Sequence, residues 1–510
     1  MKNKFHDCAP FKPYHQDQLT FLPPSLDELI PFNHPVRVIN RIVDVIDLSP
    51  LVESYKSGGT SSYHPVMLLK ILLYGYLRNI YSTRKMEEAV NENIHFMWLS
   101  GGNRPDHNTL ARFRSERLKD HIEYIFSQTV HLLTEAGLVS LKEAFVDGTK
   151  IEANANRYTF VWGKKITYNR QRIEKQLNEL ITYANNAAKS EDSLPPVAFE
   201  DINADKIRDT VANINRQLKD SPVDKSVKRK IYHAQNNWPP ILERYDEQER
   251  ILGDRNSYSK TDKDATFMRM KDDQQQKNGQ LKAGYNVQVS TENQYVTNLT
   301  VHNSPTDTNT LPEHLESFRD KHGKLPQNLT ADAGYGSNEN YTILEKSDIN
   351  AYVKYPAFHR EDKGELSRFH SDGWEHQANN NTFICPQGRV LHHLESITRT
   401  TANGFVQHID KYISGDCTDC PLSSECKSGK ENRTIEVNHE LRRQKNAVRK
   451  NLNSEDGLTR RRRRCWEVET FFGDIKHNRL FTRFNLRGIA NVLTESLMMA
   501  ITYNIRKMPV

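Results

Sequence analysis

Apolar residues in the first 140 positions recur at helical spacing. Val66, Leu69, Leu73, Tyr76 and Leu77 form one stripe, and Ile122, Ile125, Val130 and Leu133 another. This part is therefore predicted to be helical. Between the stripes, Pro105 to Arg114 reads PDHNTLARFR, in which Asp106 or Asn108 can cap a helix carrying Arg112 and Arg114. Short helices with a capped basic member suit a helix-turn-helix-like DNA-binding unit, with Arg112 and Arg114 as candidate contacts. A helical bundle that touches no DNA has the same pattern.

The period then changes. EAFVDGTKIEANAN reads as a buried strand that carries Asp147 directly after Ala144, Phe145 and Val146. Helical stripes return at Ile173, Leu177, Leu180, Ile181 and Ala184, and at Ile207, Val211, Ile214 and Leu218. They predict an antiparallel helical hairpin, punctuated by Pro195, Pro196, Pro239 and Pro240. From Leu281 alternation takes over: Tyr285, Val287 and Val289, then Val296, Leu299 and Val301, with Asn293 near the turn. That is a β-hairpin. PTDTNTLPEHLESF predicts a helix capped by Asp307 or Thr308. NLTADAGYGS predicts a short strand ending in a Gly-rich turn, followed by a helix around Tyr341 to Leu344, and INAYVKYP predicts another strand. The order is that of a mixed α/β layer. Polar text with cysteines fills about 365 to 440, and the final helices are expected from near Arg461.

At 510 residues the chain exceeds one ordinary core, and roughly two to four structural units are expected. An apolar fraction of 36% excludes a disordered chain. The net charge of +6 does not single out a nucleic-acid binder, but its distribution is uneven. Arg460 to Arg464 are consecutive arginines, and Lys225, Lys228, Arg229 and Lys230 form a second cluster. The first residues lack the apolar core of a signal peptide, and Val66 to Leu77 is too short to span a membrane, so a cytoplasmic protein is expected.

Context must select among 65 acidic residues. Charged side chains are normally kept out of buried strands. Asp147 and Asp332 both stand at strand ends with glycine close behind, where sites of mixed sheets collect. A third carboxylate comes from WEVETFFGDIKHNRLF: in a continuous helix, Glu469, Phe472, Gly473 and Lys476 share one face, whereas Glu467 points elsewhere. Phosphodiester cleavage needs neutralised phosphoryl charge and an activated oxygen nucleophile. A pair of magnesium ions held by a few carboxylates supplies both.

AFVDGTKIEANAN, LKAGYNVQ, LTADAGYGS and VETFFGDIK resemble segments of bacterial insertion-sequence transposases of the DDE type, whose catalytic domain is ribonuclease H-like. The likeness extends through HPVMLLKILLYGYLRN and PDHNTLARFR, and so covers most of the chain from about residue 20. It implies metal-binding roles for Asp147, Asp332 and Glu469 with Mg2+ or Mn2+, and a DNA contact for Lys476, seven positions after Glu469. It also implies cleavage and transfer of DNA strands, double-stranded element ends and target DNA as partners, and a homodimer on DNA. There is one departure. The family places tyrosine seven and arginine four positions before the glutamate, where this chain has Arg462 and Cys465. Arg461, Arg462 and Arg464 are the candidate phosphate contacts in their place.

The expected organisation is a helical DNA-binding region (1–140), a first catalytic strand (141–155), a helical insertion (156–265), the ribonuclease H-like core (266–365), a cysteine-bearing insertion (366–440) and C-terminal catalytic helices (441–510). Cys385, Cys417, Cys420 and Cys426 offer four thiolates to a structural zinc ion. Reduced, unligated thiols are the alternative, and Cys8 and Cys465 show no partner pattern. Two other functions fit the same text: a metal-dependent nuclease without strand transfer, and a DNA-binding protein that has lost catalysis.

Overall fold

The computed structural model describes residues 24–55, 62–188, 193–219, 221–270, 279–401, 403–427, 429 and 431–509. Cys8 and most of the first residues, read above as lacking the apolar core of a signal peptide, lie outside them. The described chain is a mixed α/β structure. Seven α-helices between Pro35 and Glu135 open it, as the apolar stripes predict. Asp106 caps the helix His107–Arg112 by accepting from Thr109 N at 2.8 Å.

The central sheet has six strands: β1 (Glu143–Glu152), β4 (Thr266–Met268), β5 (Lys282–Glu292), β6 (Tyr295–His302), β7 (Asn328–Ala331) and β8 (Asn350–Val353). A small pair, β2 (Phe160–Trp162) and β3 (Ser257–Ser259), stands apart. β5 runs antiparallel to β1 and to β6, while β7 lies parallel to both β1 and β8. The β5–β6 turn is made by Asn293 and Gln294, both at positive φ. A two-residue turn of that kind matches the twist of its strands.

One face of this sheet shares a continuous core with the N-terminal helices and the helix Ile489–Lys507. Leu497, Met498, Met499 and Ile501 of that helix are buried, and each such burial is worth about 1.5–3 kcal/mol. The other face is covered by the helices Leu311–His322, Asn338–Lys346 and His439–Asn453.

The insertion differs from its prediction. It has three long helices, not two: Gly163–Ala187, Ala204–Gln217 and Lys225–Leu252. Pro239 and Pro240 lie inside the third rather than at a boundary. Packing of Trp238 and Leu242 into a three-helix core offsets the two missing donors. Residues 375–437 also hold more structure than their polar text suggests. They form an antiparallel sheet of β9 (Glu375–Gln377), β10 (Thr382–Ile384), β11 (Val390–Thr400), β12 (Val406–Ser414) and β13 (Thr434–Val437) around Trp374, Phe383 and Tyr412. The C-terminal helices begin at His439, earlier than expected. Among the described residues no helix is long and apolar enough to cross a membrane.

Candidate active site

Asp147 lies within β1, and Asp332 follows the last residue of the neighbouring parallel strand β7. Each fixes one carboxylate oxygen on nearby backbone. Gly148 N donates to Asp147 Oδ1 and Gly334 N to Asp332 Oδ1, both at 2.8 Å. The second oxygens meet a common partner. Arg464 Nη2 lies 3.2 Å from Asp147 Oδ2 and 3.5 Å from Asp332 Oδ2. Two aspartates far apart in sequence are thus joined through one guanidinium, whose Nε is buried with no acceptor.

A third carboxylate borders this pair. Asp307 Oδ1 accepts from Asn286 Nδ2 at 2.7 Å and from Gln288 Nε2 at 2.9 Å. Gln288 Oε1 accepts from the Tyr335 hydroxyl. Burial pushes the Tyr335 phenol far above its usual range, and the charges of Asp307, Asp147 and Asp332 push the same way against Arg464. By its sequence, Asp307 or Thr308 is expected to cap the following helix. The helix instead starts at Leu311, with Thr310 as its uncapped first neighbour.

Glu469 is placed differently from its prediction. The helix Glu455–Glu467 breaks at Val468; Glu469 opens a new short helix, Glu469–Gly473, and a π-helical turn, Asp474–Asn478, follows. The assumed continuous face is interrupted, and Glu469 is exposed to solvent. Glu467 is fully buried, paired with Arg463 and accepting from Gln294 N. Glu495 is buried too, accepting from Tyr76 and from the backbone at Asn485 and Leu486. Lys476 and Phe472 line a small cavity with Thr149, Ile151 and Val287, beside β1 and beyond Asp147. Among the described residues no group of three or more His, Cys, Asp or Glu is arranged to hold a metal ion.

Most of the arginine run faces protein rather than solvent. Arg460 pairs with Glu143 and Asp456, Arg461 with Asp362, and Arg463 with Glu467. Arg462 is exposed. Lys354, after β8, joins this basic edge: burial lowers its ammonium, and Arg464 and Arg461 lower it further. In the N-terminal helices, Arg112 is exposed, but Arg114 is only 5% exposed. Its Nη1 donates to Tyr76 Oη and to Tyr81 O. That interior position corrects the expectation of a DNA contact at Arg114.

The cysteines gather at one end of the β9–β13 sheet. Burial raises the Cys426 thiol, and Cys385, Cys417 and Cys420 add to the rise as neighbouring charges. Burial also raises Cys417, but the Arg433 N–H, 3.4 Å from its sulfur, and the Ser414 hydroxyl leave it below the usual thiol value. Cys465 is exposed on the arginine helix.

Two family models match the chain. Residues 24–116 match "Transposase domain (DUF772)", and residues 384–509 match "Transposase DDE domain". No curated protein and no solved structure matches it. One match over the N-terminal helices and another over the segment that carries Arg464 and Glu469 support an insertion-sequence transposase of the DDE type.

Proposed function

We propose that this transposase binds the ends of its element, cuts DNA there in a metal-dependent reaction, and joins the freed ends to target DNA. The observation that carries the reading is the meeting of Asp147 and Asp332 on Arg464. Two carboxylates that share a guanidinium suit a positive group of another kind. Hard oxygen donors of this type fit Mg2+ or Mn2+ better than softer metals. Asp147, Asp332 and Glu469 would hold the ions. When bound, these supply charge neutralisation at the phosphoryl group and activation of the attacking oxygen.

The chain's own groups perform the remaining tasks. Gly148 N and Gly334 N hold the two aspartates in fixed orientation. Lys476, Arg462 and Lys354 would supply cations to DNA phosphates, and the exposed Arg112 would supply one on the N-terminal helices. Arg464, and Arg461 once released from Asp362, would add to them. Hydrolysis at the element end would free its 3′-hydroxyl and leave a 5′-phosphate on the flanking strand; in-line attack of that hydroxyl on a target phosphodiester would join the strands and release a target 3′-hydroxyl. A ribonuclease H-like core is supported by the antiparallel β6–β5–β1 run beside the parallel β1–β7–β8 run. The domain limits 1–140, 141–155, 156–265, 266–365, 366–440 and 441–510 remain our proposed division. A homodimer on DNA and a structural zinc on Cys385, Cys417, Cys420 and Cys426 complete the reading.

The test uses labelled element-end DNA with Mg2+. Wild-type protein is expected to nick at the end and to join strands, and Asp147→Asn and Asp332→Asn to do neither. Nicking without joining would favour a nuclease. Specific binding with no cleavage in Mg2+ or Mn2+ would favour a DNA-binding protein without catalysis.

A further inference from the structure

The helical insertion has no part in the reading above, yet two of its helices carry cations where folding has no use for them. We infer that the helices Gly163–Ala187 and Lys225–Leu252 form a second DNA surface, which grips the phosphate backbone of a duplex whatever its sequence; the inference rests on the reading of this chain as acting on DNA.

The first observation is the placing of the charges. Lys164, Tyr168, Arg172 and Lys175 recur at helical spacing along the first helix, as do Lys225, Lys228, Arg229 and Tyr232 along the third. Such spacing keeps each set on one face, and all of these side chains are exposed. Neither helix has a carboxylate in its first turn. Lysines stand there instead, at the positive end of the helix dipole, and like charges three and four positions apart repel one another. Both features weaken the free helices, and a bound polyanion relieves both.

The second is a contrast along the third helix. Toward its C-terminus, Glu243 pairs with Arg208, Asp246 and Glu249 with Arg170, and Glu247 with Arg250. At the other end, Lys225, Lys228 and Arg229 form no ion pair among the described residues, and neither do Lys164, Arg172 and Lys175 of the first helix. An ordinary solvated face intersperses both signs. Here internal pairing takes up the carboxylates and leaves the cations over. Only Glu174, Glu179 and Asp224 accompany the two stripes in sequence. The acidic half of the third helix is no complement for a second copy of the chain, because arginines already hold it.

The third is shape. The two helices run antiparallel: Asn169 Nδ2 donates to Tyr245 Oη at 3.0 Å, and Asp224 N to Tyr183 Oη at 3.4 Å. Arg172 and Lys230 thereby line one groove with His233, beside Gln176 and Trp238. The surface begins at the catalytic sheet. Phe160 and Trp162, just before the first helix, lie against Phe267 of β4 with ring centroids 5.6 and 6.0 Å away. From Lys164 to Lys175 the stripe runs about 16 Å along the helix, a length of duplex that carries roughly ten phosphate charges.

The full-length protein is titrated into labelled duplexes, one with an element end and one of unrelated sequence, across a salt series, and thermal unfolding is followed alongside. Wild-type protein is expected to bind both. The combined change Arg172→Ala, Lys175→Ala, Lys228→Ala and Arg229→Ala is expected to weaken binding to both about tenfold or more near ~0.1 M salt, and to lower the salt slope by about 3–4. Its unfolding midpoint is expected at or above that of the wild type. Should this variant fail to fold, Lys228→Ala with Arg229→Ala carries the same test, with a slope lower by about 2. Wild-type affinity and slope in a folded variant overturn the proposal and leave the reading of the chain as acting on DNA intact. A loss confined to the element end also overturns it, since backbone contacts do not read sequence. Unchanged DNA binding with lost self-association in sedimentation would assign the face to a second copy instead. Binding of neither duplex by the wild type overturns the underlying reading, and the proposal with it.

Discussion

The guanidinium of Arg464 and the carboxylate of Asp147 meet at 3.2 Å, bringing the arginine helix onto the central strand. Without a metal, Arg464 is the neutralising charge for this aspartate and its neighbour Asp332. Replacing Arg464 by Met is expected to destabilise the metal-free protein by about 1–3 kcal/mol, since partly buried carboxylates lose their partner. The same change should tighten Mn2+ binding, because a competitor is gone. Thermal unfolding with and without Mn2+ reads both. Unchanged metal-free stability in Arg464→Met would show that the pairing carries no weight.

Gly148→Ala is expected to cost about 1–3 kcal/mol by overpacking. The new methyl group has to displace Gln288 or Asp307, whose atoms stand 2.3 Å and 2.7 Å from its position. Urea unfolding measures the loss.

Acid should weaken the fold through the buried histidines of the helix Leu311–His322. Burial lowers His322 to about 4, partly opposed by its ring N–H donating to Thr297 O. Burial also holds His314 well below its usual value. In both, the unfolded chain binds the proton better than the folded one. Their neutral forms therefore contribute full stability above about pH 6.5, and it is lost as pH falls toward 4. For His322 the full span corresponds to about 3 kcal/mol. His322→Gln should flatten this limb in unfolding measured from pH 7 to 4; an unchanged slope would exclude His322 as its source.

Arg112 and Arg114 should separate cleanly. Arg112→Ala is expected to weaken binding to element-end DNA and to reduce its salt slope by about 1, the signature of one lost phosphate contact. Arg114→Ala is expected to lower thermal stability, because Tyr76 and the Tyr81 carbonyl lose a buried donor. Fluorescence anisotropy across a salt series and thermal melts distinguish the two.

Purified protein is expected to carry roughly one zinc per chain, detected by elemental analysis. Cys420→Ser should lose it, and chelation should expose residues 375–437 to protease first. Zinc-free protein with wild-type protease resistance would contradict a structural ion there.

Much of this architecture was legible in the sequence because local chemistry and tertiary need agree. Asp147 and Asp332 stand out through apolar residues before them and glycines after them, and the structure brings them together. The β5–β6 hairpin follows from alternation and a turn at Asn293. Other features lacked a local signal. Asn286 and Gln288 look like the solvent side of a strand; only the packed second face reveals that they are buried. Asp307 looks like a cap because a carboxylate just before a helix commonly caps it; here it accepts from Asn286 and Gln288 of β5 instead. The break at Val468 has no proline or glycine to announce it, so Glu469 was assigned to a face that the helix does not continue. The consecutive arginines suggest nucleic acid, but Arg460, Arg461 and Arg464 reach Glu143, Asp362, Asp147 and Asp332 far away in the chain, and Arg463 pairs with Glu467 one turn on.

The helix Ile489–Lys507 is synthesised after every element it packs against. Asn504 locks it to β6 by donating to Val296 O and accepting from Val296 N, both at 2.8 Å. Until that helix leaves the ribosome, the N-terminal helices and the sheet face it covers have no partner for their apolar surfaces. The strand carrying Asp147 is made early but cannot be finished early. A nascent chain halted before this helix would be a client for chaperones and proteases rather than a shorter folded protein.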